Sequence, residues 1–135
     1  MNNLNQLRIQ LKKLANLLAA FINTIKLMVE SQQFSEHKIF EYKLKINDLA
    51  VGINTELLTL TDLLNELGKS DDEVYTRYYT YIIDKLGEYQ NAFFTFLDNK
   101  GKQSFTTKNF DLDDQLLDQV LKKIDREIRI QGVER

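Results

Sequence analysis

The chain has 135 residues, with no Cys, no Pro, no Trp and five Gly. Without Cys there is no disulfide scaffold, no thiolate zinc site and no thiol chemistry. So few Gly and Pro argue against a turn-rich β-sandwich or a disordered chain, and 18 basic against 20 acidic residues leave a net charge of −2, too little to draw the chain toward nucleic acid or membrane.

The first element runs from about Asn3 to Ser31. Apolar residues fall at Leu4, Leu7, Leu11, Leu14, Leu18, Phe21, Ile25 and Met28, in steps of 3 and 4 without a break. That is a heptad seam, and Ala15, Leu17, Ile22 and Val29 widen it toward the stripe of a globular bundle. Arg8, Lys12 and Lys13 ahead of the apolar run Leu14 to Ile22 resemble a secretory leader only superficially. Asn16 and Asn23 interrupt the run, Lys26 follows, and no A-x-A site comes after. The run is also too short to span a bilayer. The expectation is a core helix in a cytoplasmic protein that has no membrane contact.

A second helix is expected from Ser35, an N-cap with Glu36 in the first turn. Its seam is Ile39, Tyr42, Ile46, Leu49, Ile53, Leu57, Leu60, Leu64 and Leu67. A stutter falls over Gly52, where the same face resumes, which predicts one continuous helix with room for a kink. Gly68 is placed at C′. A third helix is expected after Ser70-Asp71-Asp72-Glu73, read as a capping box. Tyr75, Tyr79, Ile82, Leu86, Tyr89, Phe93 and Phe96 carry its seam, and Asp98-Asn99-Lys100-Gly101 ends it.

Residues 100–110 have no helical period. Phe105 and Phe110 are expected on the bundle end, with a short extended stretch over Gln103 to Thr107. A fourth helix is expected from near Asp111, with Asp113 and Asp114 in its first turn, apolar residues from Leu112 to Ile128, and Gly132 as its stop. The predicted fold is a single all-α domain, 1–135: an antiparallel up-down-up-down four-helix bundle with three long helices and a shorter C-terminal one.

Catalytic constellations are missing. Di-iron bundles need Glu-x-x-His motifs, and this chain has one histidine, His37, with no such motif. No G-x-S-x-G elbow, phosphate-binding glycine loop or calcium loop is present. The acids at Asp71–Glu73 and Asp111–Asp114 sit where helix dipoles already favour them. The expectation is therefore no enzyme, no cofactor and no metal.

The unusual composition is Tyr75-Thr76-Arg77-Tyr78-Tyr79-Thr80-Tyr81. Its tyrosines cover more than half of a helix circumference, and tyrosine is enriched at interface hot spots. Tyr78, Tyr81 and Phe94, read as lying off the seam, are the expected contact with another protein chain, whether a copy of this one or a different subunit. The leading expectation is a non-catalytic protein–protein interaction module, an accessory or adaptor subunit of a larger assembly. The alternative is a small helical subunit contacting nucleic acid within a complex. Its residues would be the stripe Lys122, Arg126 and Arg129 and the basic turn with Lys100 and Lys102. Asp118 and Asp125 interleave with that stripe and point toward a salt-bridged surface instead.

Overall fold

The structure is a computed structural model that describes residues 3–102, 105, 112 and 114–133. It is all-helical in those residues, with α1 Asn3–Glu30, α2 Glu36–Glu66, α3 Glu73–Asp98 and α4 Asp114–Val133. At 1.5 Å per residue the helices are roughly 42, 46, 39 and 30 Å long. None of them is long and apolar enough to cross a membrane.

Each predicted seam is the buried face of its helix. Leu7, Leu11, Leu14 and Phe21 of α1 expose no surface, and neither do Ile46 and Leu60 of α2, Tyr75, Tyr89 and Phe93 of α3, or Val120 and Ile124 of α4. Neighbours in sequence are neighbours in space, α4 packs back on α1, and α1 also reaches α3 across the core. The direction of each pair follows from its side-chain contacts. Gln10 bonds to Glu56, Ser31 to Tyr42, Gln90 to Asn47 and Tyr75 to Glu127. Early residues of one helix meet late residues of the next, so adjacent helices run antiparallel.

The helix ends follow local chemistry. The Ser35 side chain accepts a hydrogen bond from the Lys38 N–H and caps α2. That helix runs unbroken through Gly52 and ends in a Schellman turn. Lys69 N–H donates to the Leu64 carbonyl at 2.8 Å and Gly68 N–H to the Asn65 carbonyl at 3.1 Å, with Gly68 at φ +68°. The expected capping box does not form around Ser70. After the Schellman turn, Asp72 N–H bonds to the Lys69 carbonyl, and this tight turn absorbs Ser70 and Asp71. Asp72 is left as the N-cap, its carboxylate accepting from Val74 N–H at 3.1 Å. The fourth helix begins at Asp114, later than expected, and continues through Gly132 to Val133. The expectations for Gln103, Ser104, Thr106, Thr107, Phe110, Asp111 and Asp113 lie outside the described residues.

One end of the bundle is closed by aromatics. Phe34, in the α1–α2 link, meets Phe96 edge-on at 5.1 Å, and Phe105 meets Phe96 at 5.1 Å and Phe93 at 6.3 Å. Phe105 thus packs where the sequence placed it. The α3 terminus reaches this end through two left-handed residues, Lys100 at φ +54° and Gly101 at φ +72°. A Cβ on Gly101 would sit 2.5 Å from the Phe34 ring. Gly101→Ala therefore combines backbone strain with a steric clash against a ring that Phe96 already braces. The expected loss is about 2 kcal/mol or more, measured as a lowered denaturant midpoint with unchanged m-value.

Candidate partner-binding face

The three aromatic residues singled out in the sequence have different fates. Tyr78 is only 3% exposed and belongs to the core, so the off-seam assignment is corrected. Eighteen residues make five full helical turns, so Tyr78 lies directly in line with Phe96, a seam residue. α3 packs between α2 and α4 and also meets α1, which buries a wider arc than one partner helix would. Tyr81 is half-buried and stacks on Tyr78, with ring centroids 6.3 Å apart. The Lys85 ammonium lies 5.9 Å from its ring centre. Phe94 is half-buried on the opposite flank of α3, the flank that faces α2. There Lys43 spans the α2–α3 seam, its ammonium 5.7 Å from the Phe94 ring centre and paired with Asp98.

The basic residues fall into two groups. Lys122, Arg126 and Arg129 are exposed on α4, where they line a shallow groove with Asp125 and Ile128. The expected salt-bridging within the stripe does not occur, because Asp125 turns to Arg8 of α1, with Nε and Oδ1 2.8 Å apart. That contact is a charge pairing and not a hydrogen bond, since the Arg8 Nε–H finds no aligned acceptor. The stripe itself has no ion pair among the described residues. Lys100 and Lys102 are exposed at the far end of α3. Tyr75 meets α4 near Glu127, so about 30 Å of helix separates the two groups. The five cations do not form one surface.

At the other end of the bundle sits a compact ionic cluster. Lys69 pairs with Glu127 at 2.6 Å, Lys123 with Asp72 at 3.2 Å and with Glu127 at 3.6 Å, and the Tyr75 hydroxyl donates to Glu127 at 3.3 Å. Desolvation and the neighbouring carboxylates push the Tyr75 phenol well above its ordinary value. Two cations face two anions around a phenol held protonated, which makes the cluster a clasp between the α2–α3 turn and α4. A second network joins α1 to α2. The buried Gln10 amide donates to the Glu56 backbone carbonyl at 2.9 Å and to its carboxylate at 2.7 Å, while Lys13 pairs with the same carboxylate at 3.0 Å. The Gln10 hydrogen bond, then that of Lys13, lowers the Glu56 pKa. His37 is exposed in the first turn of α2, 2.8 Å from Glu41.

The sequence reading missed a face. Phe40, Leu44, Val51 and Leu58 are 63%, 51%, 63% and 66% exposed. Steps of 4, 7 and 7 place them on one line of α2, outside its buried seam. The Lys43–Asp98 and Asn47–Gln90 contacts fix the antiparallel register of α2 and α3. That register sets Leu44 level with Phe94, Val51 level with Gly87, and Leu58 close to the level of Ile83, which is also exposed. The result is a row of exposed apolar side chains on α2, flanked across the α2–α3 seam by Phe94 and Ile83 and interrupted there by the Lys43–Asp98 and Asn47–Gln90 contacts. The signal was present as a second, outward heptad spacing at 44, 51 and 58. The remaining exposed apolar residues, Ile9, Leu27 and Ile130, lie on α1 and α4. Single apolar residues of that kind are ordinary on a protein surface.

No protein-family model matches the chain, and neither the curated proteins nor the solved structures include a match.

Two stability measurements separate core from face. Tyr78→Ala is expected to cost about 3–5 kcal/mol, as for other buried aromatics, whereas Val51→Ser and Leu58→Ser stay within about 0.5 kcal/mol of the parent in urea denaturation. For Glu56 the folded-state pKa is depressed. Its contribution is therefore present above the unfolded value near 4.5 and is lost as pH falls through the folded value. The stability difference between the parent and Glu56→Gln is expected to be largest near neutrality and to shrink below about pH 4.5.

Proposed function

We propose that this chain is a non-catalytic interaction module, an accessory subunit that binds another protein through the α2–α3 face. The observation that carries this reading is the exposed row Phe40, Leu44, Val51 and Leu58, extended across the seam by Ile83 and Phe94. A row of exposed large apolar side chains of this kind is unfavourable in water and marks binding sites in soluble proteins. Half-exposed rows on a rigid helix also suit recognition, because little backbone order is lost on binding. Of the residues first assigned to the contact, Phe94 belongs to this face, Tyr81 lies on the other flank of α3, and Tyr78 is structural. Supporting the same reading, the ionic groupings act between helices as clasps and pair their charges internally. The reading includes a cytoplasmic setting and no cofactor.

A site-specific photocrosslinker tests it. Placed at Leu58 in the producing cell, it is expected to attach the chain to one discrete protein species, and placed at Asp118 on α4 it is not. Absence of any adduct from Leu58, or equal adducts from both positions, would sink the proposal.

A second reading has its own observation: Lys122, Arg126 and Arg129 are exposed and unpaired among the described residues. Three phosphate contacts would give a salt slope of about −3 at most, a weak footprint for a dedicated nucleic-acid protein. Fluorescence anisotropy with a labelled oligonucleotide across a salt series is expected to show weak binding. Replacing the three residues by Ala would abolish that binding. Submicromolar affinity at physiological salt would favour this reading over the first.

A further inference from the structure

A second surface, separate from the α2–α3 face, lies beneath α4. We infer that α4 is a displaceable helix: it closes a tyrosine-lined groove between α1 and α3 and yields that groove to an amphipathic helix of another protein. The groove is defined by what α4 touches. On α1, Arg8 pairs with Asp125, and Leu4 and Leu11, four residues before and three after Arg8, share its face. On α3, the Tyr75 hydroxyl meets Glu127, the Lys123 ammonium lies 6.0 Å from the Tyr75 ring centre, and Tyr81 borders a cleft with Leu116. Leu4, Leu11 and Tyr75 are buried, so the departure of α4 would bare a largely apolar channel.

Three observations make α4 the helix that leaves. Its apolar hold is thin. Val120 and Ile124 are its only fully buried side chains among the described residues, with Leu116, Leu117 and Ile128 half-buried, whereas each other helix buries six or more. Its remaining grip is ionic and partly exposed, through Arg8–Asp125, Lys69–Glu127 and Lys123–Asp72, and such pairs add little stability. The junction with α1 is also imperfect, because the Arg8 Nε–H is buried without an aligned acceptor. A desolvated donor left unpaired weakens the docking that buries it. A segment held in this way opens well below the free energy of global unfolding. The freed helix suits water, since eight of its twenty residues are charged. Once away from Arg8, Asp125 can pair with Arg129 four residues on, an order that supports an isolated helix.

α4 itself shows what the groove accepts. Its departure leaves Arg8 on α1 and Lys69 on the α2–α3 turn without their carboxylates. An occupant therefore carries two apolar residues four apart, with acids one and three positions after the second, as Val120, Ile124, Asp125 and Glu127 do.

Native-state hydrogen exchange of the full chain tests the opening, and a labelled synthetic peptide of residues 114–133 tests the groove. The amides of Val120, Leu121 and Ile124 are expected to exchange through one shared opening with a shallow urea dependence. That opening is expected to be at least about 100 times as populated as the one that frees Leu14, Leu57 and Ile82. Raising sodium chloride to about 0.5 M is expected to populate it further by screening the three ion pairs. Exchange of all six amides at one common free energy overturns the inference, and this measurement needs no variant. In fluorescence anisotropy the peptide is expected to bind the parent weakly, because the groove is open in only a small fraction of molecules. Val120→Ser with Ile124→Ser in the full chain is expected to loosen its own α4 and tighten peptide binding about tenfold or more. The same two changes in the peptide are expected to abolish binding. A peptide that binds parent and double variant equally sits elsewhere and overturns the groove, as does one that binds neither.

Discussion

The fold depends on α1 presenting one apolar strip, Leu4 to Ile25, to every other helix. Leu7, Leu11, Leu14 and Phe21 expose no surface, and α1 packs on both neighbours and reaches the diagonal helix α3 as well. A heptad strip demands facing strips of similar period, which α2 and α3 supply. The polar contacts then set registers that apolar packing alone leaves loose. Gln10 to Glu56 fixes α1 on α2, Lys43 to Asp98 fixes α2 on α3, and the Lys69–Glu127–Lys123–Asp72 group fixes α4.

This division of labour explains what the sequence made legible. Unbroken steps of 3 and 4 define helices and their inner faces without knowledge of any neighbour, so the four elements and most core positions follow from period alone. Ser35 and Gly68 were readable as caps because each acts within one turn of its own helix. Tyr78 was misplaced because a seam drawn as a single line ignores how wide an arc two flanking helices cover, although its alignment with Phe96 was countable. The capping role of Asp72 depended on a Schellman turn absorbing Ser70 and Asp71, a choice between adjacent candidates that composition does not make. The apolar row on α2 needed the register with α3 before Phe94 and Ile83 could be recognised as flanking it.

Charge is used locally rather than globally. The chain is nearly neutral, and its cross-helix ion pairs link α1 to α2, α1 to α4, α2 to α3, and the α2–α3 turn to α4. Partly exposed pairs contribute little individually to stability. Their effect is to penalise wrong registers, since sliding one helix by a turn would leave Glu56 or Glu127 without its cations. The α2–α3 face, by contrast, carries most of its exposed surface as apolar side chains, Phe40, Leu44, Val51, Leu58 and Ile83, around the single Lys43–Asp98 pair.

The aromatic closure has a kinetic side. The α1–α2 and α2–α3 hairpins join residues that are near in sequence and can form early. Phe34 and Gly101 lie on different links, sixty-seven residues apart, and meet only after three helices have been laid side by side. A contact formed that late has little influence on how quickly the folded state is reached. It governs the unfolding barrier instead, and so the lifetime of the folded chain.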